Sequence, residues 1–219
     1  MILAGALLIP VALSAAGFEG KVTFQMTSGR GKPADLTYSI KGDKVRMEFP
    51  NQKGSGGMIM DTSKREMMVM MDEQKMYMVM ALPDTVAEAA AGRAEDVKLE
   101  KTSETTKIAG YTATKYIVTS REGTTDLWLA EGLGTFMGMS NNSNPMGGKR
   151  AAPKAWERAL AGKEMFPLRV VGKDFKMEAT SVEKTSLPDS LFTPPAGYQK
   201  FDMGGMMKGA LKGMFPGSR

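Results

Sequence analysis

Period-two alternation of apolar and polar positions runs through most of the chain. Val22, Phe24 and Met26 alternate with Lys21, Thr23, Gln25 and Thr27, the pattern of a strand with one buried face. Leu36, Tyr38 and Ile40 repeat it, and Val45, Met47 and Phe49 do so again with Lys44, Arg46 and Glu48 outward. Gly42-Asp43 separates those last two runs, and a glycine-first two-residue link between alternating segments predicts a hairpin. Ser28–Lys32 also reads as a turn, because it lacks the spacing and the following helix of a phosphate loop. Further strands are expected at 58–61, 65–71, 75–80, 97–101, 111–120 and 126–130, and at 166–171 and 174–184 around Gly172-Lys173.

Two helices interrupt this pattern. An Ala-rich stretch opens at Pro83-Asp84 and runs to Arg93. A second begins at Pro153, places Trp156 and Leu160 on one face and stops at Gly162. Pro188–Phe192 reads as a helical turn, and Pro194-Pro195 as the end of regular structure. Gly132–Lys149, rich in Gly, Asn and Ser, reads as a long surface loop. The expected fold is mainly β: nine or ten antiparallel strands in a curved sheet or open half-barrel, with two or three short helices lidding one face.

One segment departs from the half-buried pattern. Nine of the 21 methionines fall between Met58 and Met80. Residues two apart on a strand share a face at a spacing of about 6.6 Å. Met76, Met78 and Met80 therefore oppose Tyr77 and Val79, and Met68 and Met70 oppose Met67, Val69 and Met71. A sheet that is apolar on both faces must be covered on both. Three readings stay open for this band: core filling, the lining of an acyl or other apolar ligand, and a soft-metal site. Methionine is flexible and polarisable, so a thioether wall adapts to variable apolar shapes. The lining candidates are Met58, Met60, Met68, Met70, Met76, Met78 and Met80, joined by Trp128. Thioethers also select Cu(I), and Met137, Met139, Met203, Met206 and Met207 are the candidates for that alternative.

Composition narrows the chemistry. With 219 residues, 42% of them hydrophobic, the chain can build one self-sufficient core. It has no Cys and no His, which excludes disulfides, zinc fingers, a Cys nucleophile and a Ser-His-Asp triad. Acidic residues sit at turns or alternate with Lys, and Glu157 and Arg158 read as the solvated face of the second helix. No nucleophile elbow or dinucleotide fingerprint appears, so neither catalysis nor a cofactor is expected. The net charge of +5 is scattered and aromatics make up only 7%, unlike a nucleic-acid binder with a concentrated basic face.

The ends carry their own signals. Ile2–Ala16 is apolar, shorter than the ~20 residues of a membrane span, and closes on small residues suited to signal peptidase. No Lys or Arg precedes it. The expected organisation is a secretory signal at 1–17, one β domain at 18–202 and a flexible tail at 203–219, giving a periplasmic or secreted protein. The tail holds Lys208, Lys212 and Arg219 and no acid, so it is a candidate for contact with a membrane surface.

Three stretches carry a family likeness: Phe18–Phe24, Ile40–Glu48 and Leu187–Tyr198, with Thr125–Leu129 between them. Together they resemble an uncharacterised bacterial exported family of unknown function. That family is in turn similar to the LolA/LolB-type lipoprotein-carrier superfamily. The resemblance implies an unclosed antiparallel half-barrel with helices over its concave side and an apolar cavity suited to acyl chains. The expected role is non-catalytic binding of a lipid-like or lipoprotein acyl group. Copper binding and an envelope protein-interaction module are the alternatives.

Overall fold

The computed structural model describes residues 17–29, 31–49, 57–82, 97–139 and 153–201. Within them the chain forms β1 (Glu19–Ser28), β2 (Ala34–Lys41), β3 (Lys44–Glu48), β4 (Met58–Asp61), β5 (Glu66–Met71) and β6 (Met76–Ala81). Then follow β7 (Lys98–Ile108), β8 (Tyr111–Ser120), β9 (Gly123–Ala130), helix α1 (Ala155–Leu160), β10 (Phe166–Val171) and β11 (Phe175–Lys184). A 3-10 turn (Asp189–Phe192) and a two-residue strand, β12 (Gln199–Lys200), complete the order. The strands make one curved, open sheet of twelve in the order β12-β6-β5-β4-β3-β2-β1-β11-β10-β9-β8-β7.

Sequence pattern sets the register. Val22 lies opposite Tyr38 and Phe24 opposite Leu36, so the apolar residues of β1 and β2 share one face. Gly42 takes a φ of +55° in the β2–β3 turn, a left-handed backbone that glycine adopts without cost to a Cβ. Pro167 occupies an interior strand because the β9–β10 register shifts beside it; at such a bulge a missing N–H breaks no ladder bond.

The main core covers the face that carries Val22, Phe24, Leu36 and Tyr38. Its centre is aromatic. Phe166 lies 6.1 Å from Phe24, 5.5 Å from Tyr38 and 5.6 Å from Phe136, measured between ring centroids. Phe136 also stacks on Tyr38 at 5.4 Å and meets Trp156 of α1 at 5.6 Å.

The open, mainly β sheet expected from alternation is the one formed, with four changes of detail. It has twelve strands rather than nine or ten, and β12 pairs with β6 in parallel. β7 runs on to Ile108, beyond the expected end at Lys101, because Thr102–Thr105 is a polar edge with a register shift that breaks the alternation. The loop after β9 is not a surface loop at its start: Leu133 and Phe136 are buried in the main core. The helical part is a minor feature rather than two or three helices over one face. Among the described residues there is one α-helix, on the core face, and one 3-10 turn, on the opposite face. The Ala-rich segment beginning at Pro83, the signal-like N-terminus and the C-terminal tail lie outside the described residues.

Candidate functional site

The methionine strands are β4, β5 and β6, and their antiparallel register builds two cross-strand rows on the core face. Val45, Met60, Met67 and Met80 form one row; Met47, Met58, Val69 and Met78 form the next. Met58, Met60, Met67 and Met78 are buried, whereas Val69, Met71, Met76 and Met80 are half-buried. The wall is therefore closed toward β3 and partly open toward β6. The opposite face of the same strands carries Ile59, Met68, Met70 and Tyr77.

That second apolar face is covered by the chain's own C-terminal segment. Leu187 and Phe192 are buried against Ile59 and Met70, with Met68, Tyr77, Leu191 and Tyr198 packed around them. Polar contacts pin this strap at both ends. The Leu187 N–H donates to Glu19 at 2.6 Å, and Lys41 Nζ donates to the Leu187 carbonyl at 2.6 Å. Lys41 also pairs with Asp189 at 3.1 Å. Arg46 donates to the Leu191 carbonyl at 2.9 Å while pairing with Glu48 at 2.8 Å. At the far end the Tyr198 hydroxyl donates to Asp72 at 2.8 Å, and the N–H groups of Gln199 and Phe201 donate to the carbonyls of Lys75 and Tyr77. Strap and sheet face close on each other as two apolar surfaces framed by charge-assisted hydrogen bonds.

A family model described as "Domain of unknown function (DUF4412)" matches residues 18–198, from the start of β1 through the strap. The chain belongs to this family. The match agrees with the likeness carried by the Phe18–Phe24, Ile40–Glu48 and Leu187–Tyr198 stretches, which the structure brings together through Glu19, Lys41 and Leu187. No curated protein gives a significant match. Among solved structures, an uncharacterised conserved protein from Thermus thermophilus is 11% identical at a TM-score of 0.48, covering 84% of this chain and 90% of that one. PNGF-II is 18% identical at a TM-score of 0.47 over 91% of this chain, which spans only 34% of the length of PNGF-II. A LolA superfamily protein from Nitrosomonas europaea is 14% identical at a TM-score of 0.33, covering 83% of this chain and 91% of that one.

In this DUF4412 chain the sequence candidates divide between the two faces. Met58, Met60, Met76, Met78 and Met80 share the core face; Met68 and Met70 lie on the other, beneath the strap. Trp128 is on β9, across β3, β2, β1, β11 and β10 from the methionine strands. There it lies between Lys115 Nζ at 5.4 Å and Arg169 Cζ at 5.1 Å, cations that are themselves paired with Asp126 and Glu178. Met137 and Met139 are half-buried against the main core, and the Met137 N–H donates to the Tyr38 hydroxyl at 2.9 Å. Met203, Met206 and Met207 lie outside the described residues.

The residues that sequence reasoning missed are those that close the structure. Glu157 is not on a solvated face: it is buried and accepts the Met139 N–H at 2.6 Å and the Lys154 N–H at 2.9 Å, tying the inward loop to α1. The side chain of Arg158 is only 9% exposed and pairs with Glu122. Asp61, also buried, shapes the β4–β5 turn. Burial opposes its charge, but bonds from Ser63 at 2.6 Å and the Lys64 N–H at 3.0 Å, with the Lys64 and Lys44 charges, leave its carboxyl below the usual range. Burial pushes the Tyr38 hydroxyl far above the ordinary phenol range, so it serves as a neutral acceptor and packing group.

The strap should loosen in acid. The Leu187 N–H, then the Lys41 charge, hold Glu19 below the usual carboxylate range, and the bond from Lys41 does the same for Asp189. Lys41 is raised in turn, chiefly by its bond to Asp189. A carboxyl lowered on folding stabilises above its unfolded value and loses that contribution as pH falls through the lowered one. A lysine raised on folding stabilises below its unfolded value and loses that contribution as pH rises through the raised one. Strap attachment is therefore flat through neutrality and declines below about pH 4. Hydrogen exchange of the 187–201 amides at neutral and acid pH reads this directly, and Glu19→Gln should flatten the acid response.

Proposed function

We propose that the protein is a non-catalytic exported binding protein that holds a lipid-like or acyl group against the core face of the methionine strands. The observation that carries this reading is the asymmetry of the two apolar faces. The outer face is packed by the strap, with Met68, Tyr77 and Val79 half-buried there, while Val69, Met71, Met76 and Met80 are half-buried at the β5–β6 side of the core face and belong to no cluster with the strap. Flexible thioethers at such a rim suit an acyl chain of variable shape better than a rigid branched wall would. Apolar contact supplies the affinity and no bond need form or break, so release is by exchange. The small-residue boundary after Ile2–Ala16 supports export, and the periplasm as the compartment.

The test is titration of the delipidated protein with the fluorescent fatty acid cis-parinaric acid. Met80→Lys places a charge in the proposed wall and should weaken binding by about tenfold or more, equivalent to about 1.4 kcal/mol. Val79→Lys, on the same strand but the opposite face, should leave binding unchanged. Absence of saturable binding, or equal loss in both variants, overturns the reading.

A further inference from the structure

One corner of the methionine wall belongs to neither apolar core. Met71 and Met76 lie directly opposite each other on the core face, where β5 and β6 enter their turn. Both are half-buried, and Met78, the next residue on that face of β6, is 4% exposed. Their neighbours are already engaged. Val69 and Met80 pack against the main core, and Met68 and Tyr77 pack with the strap on the other face. Among the described residues, Met71, Met76 and Met78 join neither group.

The sheet sets the spacing of this trio. Side chains directly opposite on antiparallel strands start about 4.5–5.5 Å apart, and those two apart on one strand start about 6.6 Å apart. Methionine carries its sulfur on an unbranched arm with three rotatable bonds, so three sulfurs starting from these points can converge on one centre above the sheet. For packing alone the choice is poor, because methionine gives up more rotamer freedom than leucine when it is fixed. For holding a soft ion it is apt. Thioethers select Cu(I) over harder ions, and the chain has no Cys or His to draw such an ion elsewhere. The turn adds a field of the right sign: it carries Asp72 and Glu73 against Lys75, with Asp72 held by the Tyr198 hydroxyl at 2.8 Å.

We propose that Met71, Met76 and Met78 form a thioether site for the soft monovalent ion Cu(I). Met71 and Met76 close on the ion from opposite strands, and Met78 supplies the third sulfur from the buried side. Zn(II) is not held, because thioethers are poor ligands for it. The site goes beyond the acyl-chain reading and does not depend on it: three convergent sulfurs suffice, and no cavity is required.

The experiment uses the full chain labelled with [methyl-¹³C]methionine and titrated with Ag(I) nitrate, a redox-stable probe of similar softness, in chloride-free buffer. ¹H–¹³C spectra follow the methionine methyls, assigned by single methionine-to-leucine replacements that conserve volume and apolar character. The first equivalent should shift the Met71, Met76 and Met78 methyls together and saturate, ahead of the other methionines. Met71→Leu and Met76→Leu should each weaken this event by about tenfold or more. Met68→Leu, also at a half-buried position but on the opposite face of β5, should leave it unchanged. Cu(I) buffered with bicinchoninate should show the same order of affinities, and Zn(II) should shift none of the three methyls. Shifts spread over many methionines without saturation at one equivalent overturn the proposal. So does a first event that both β5–β6 variants leave intact, or a response to Zn(II) equal to that of Ag(I). No acyl ligand enters this readout, so a failure to bind cis-parinaric acid leaves the metal site standing, and absence of the Ag(I) event leaves the acyl-chain reading standing.

Discussion

Replacing Phe166 by alanine should cost about 3–5 kcal/mol, a large share of the stability of a domain this size. The reason is its position rather than its size alone. Phe166 has no exposed surface and meets three other rings, from β1, β2 and the loop after β9. Truncation removes apolar area and leaves a cavity that cannot collapse easily, since Phe24 and Tyr38 are held by their strands. Each ring pair contributes about 0.5–1.5 kcal/mol beyond area burial, so the loss should lie toward the upper end. Urea unfolding followed by far-ultraviolet circular dichroism and tryptophan emission gives the value. A loss below about 1 kcal/mol would show that the inward loop does not pack as described. Tyr38→Phe is the milder companion: the ring stays, and only the hydroxyl that accepts the Met137 N–H is lost, at about 1–2 kcal/mol.

The strands that meet at Phe166 were readable from alternation because each buries one face only. The same holds for the Gly42 turn, and for α1, where Trp156 and Leu160 are buried and Gly162 takes a φ of +71° at the stop. Legibility failed where pattern and burial part company. In the loop after β9, Leu133, Phe136, Met137 and Met139 are spaced among glycines with neither a strand nor a helix period, yet Leu133 and Phe136 are buried. Gly132, Gly134 and Gly138, all at φ near +80°, let that loop turn inward. The far half of β7 is an edge, where solvent on the outer side removes the need for alternation and charged residues guard against further pairing. β12 has two residues and no pattern at all.

The candidate site was half legible. That the methionine strands needed cover on both faces followed from their sequence. What provides the cover did not, because it comes from residues more than a hundred positions away. Arg46 reaches the Leu191 carbonyl across 145 positions, and no local signal announces such a pairing. The outer face is thus internal packing, and half of the sequence-derived ambiguity disappears with it.

Phe192→Ala should detach the strap and lower stability by about 3 kcal/mol, toward the low end for a buried phenylalanine because the site lies near the rim of the sheet. Phe192 is 3% exposed and is the largest apolar side chain that the strap inserts between Ile59 and Met70. Without it the polar pins remain, but Glu19 and Lys41 are only half-buried and Asp189 is exposed, so the pins modulate the attachment and do not replace the apolar anchor. The strap should therefore open while the rest of the sheet stays folded, because Phe24, Tyr38 and Phe166 pack on the other face. Three readouts separate this from global unfolding. Protease should cut within 187–201 first, anilinonaphthalene sulfonate should bind the uncovered Ile59, Met68, Met70 and Tyr77, and the β1–β2 amides should keep their protection from exchange. A variant that loses β1–β2 protection in step with strap cleavage would make the strap part of one cooperative unit rather than a cover laid over a finished sheet. If the strap behaves as a cover, an acyl ligand on the core face should bind equally well to Phe192→Ala, because the two faces are separated by the full thickness of the sheet.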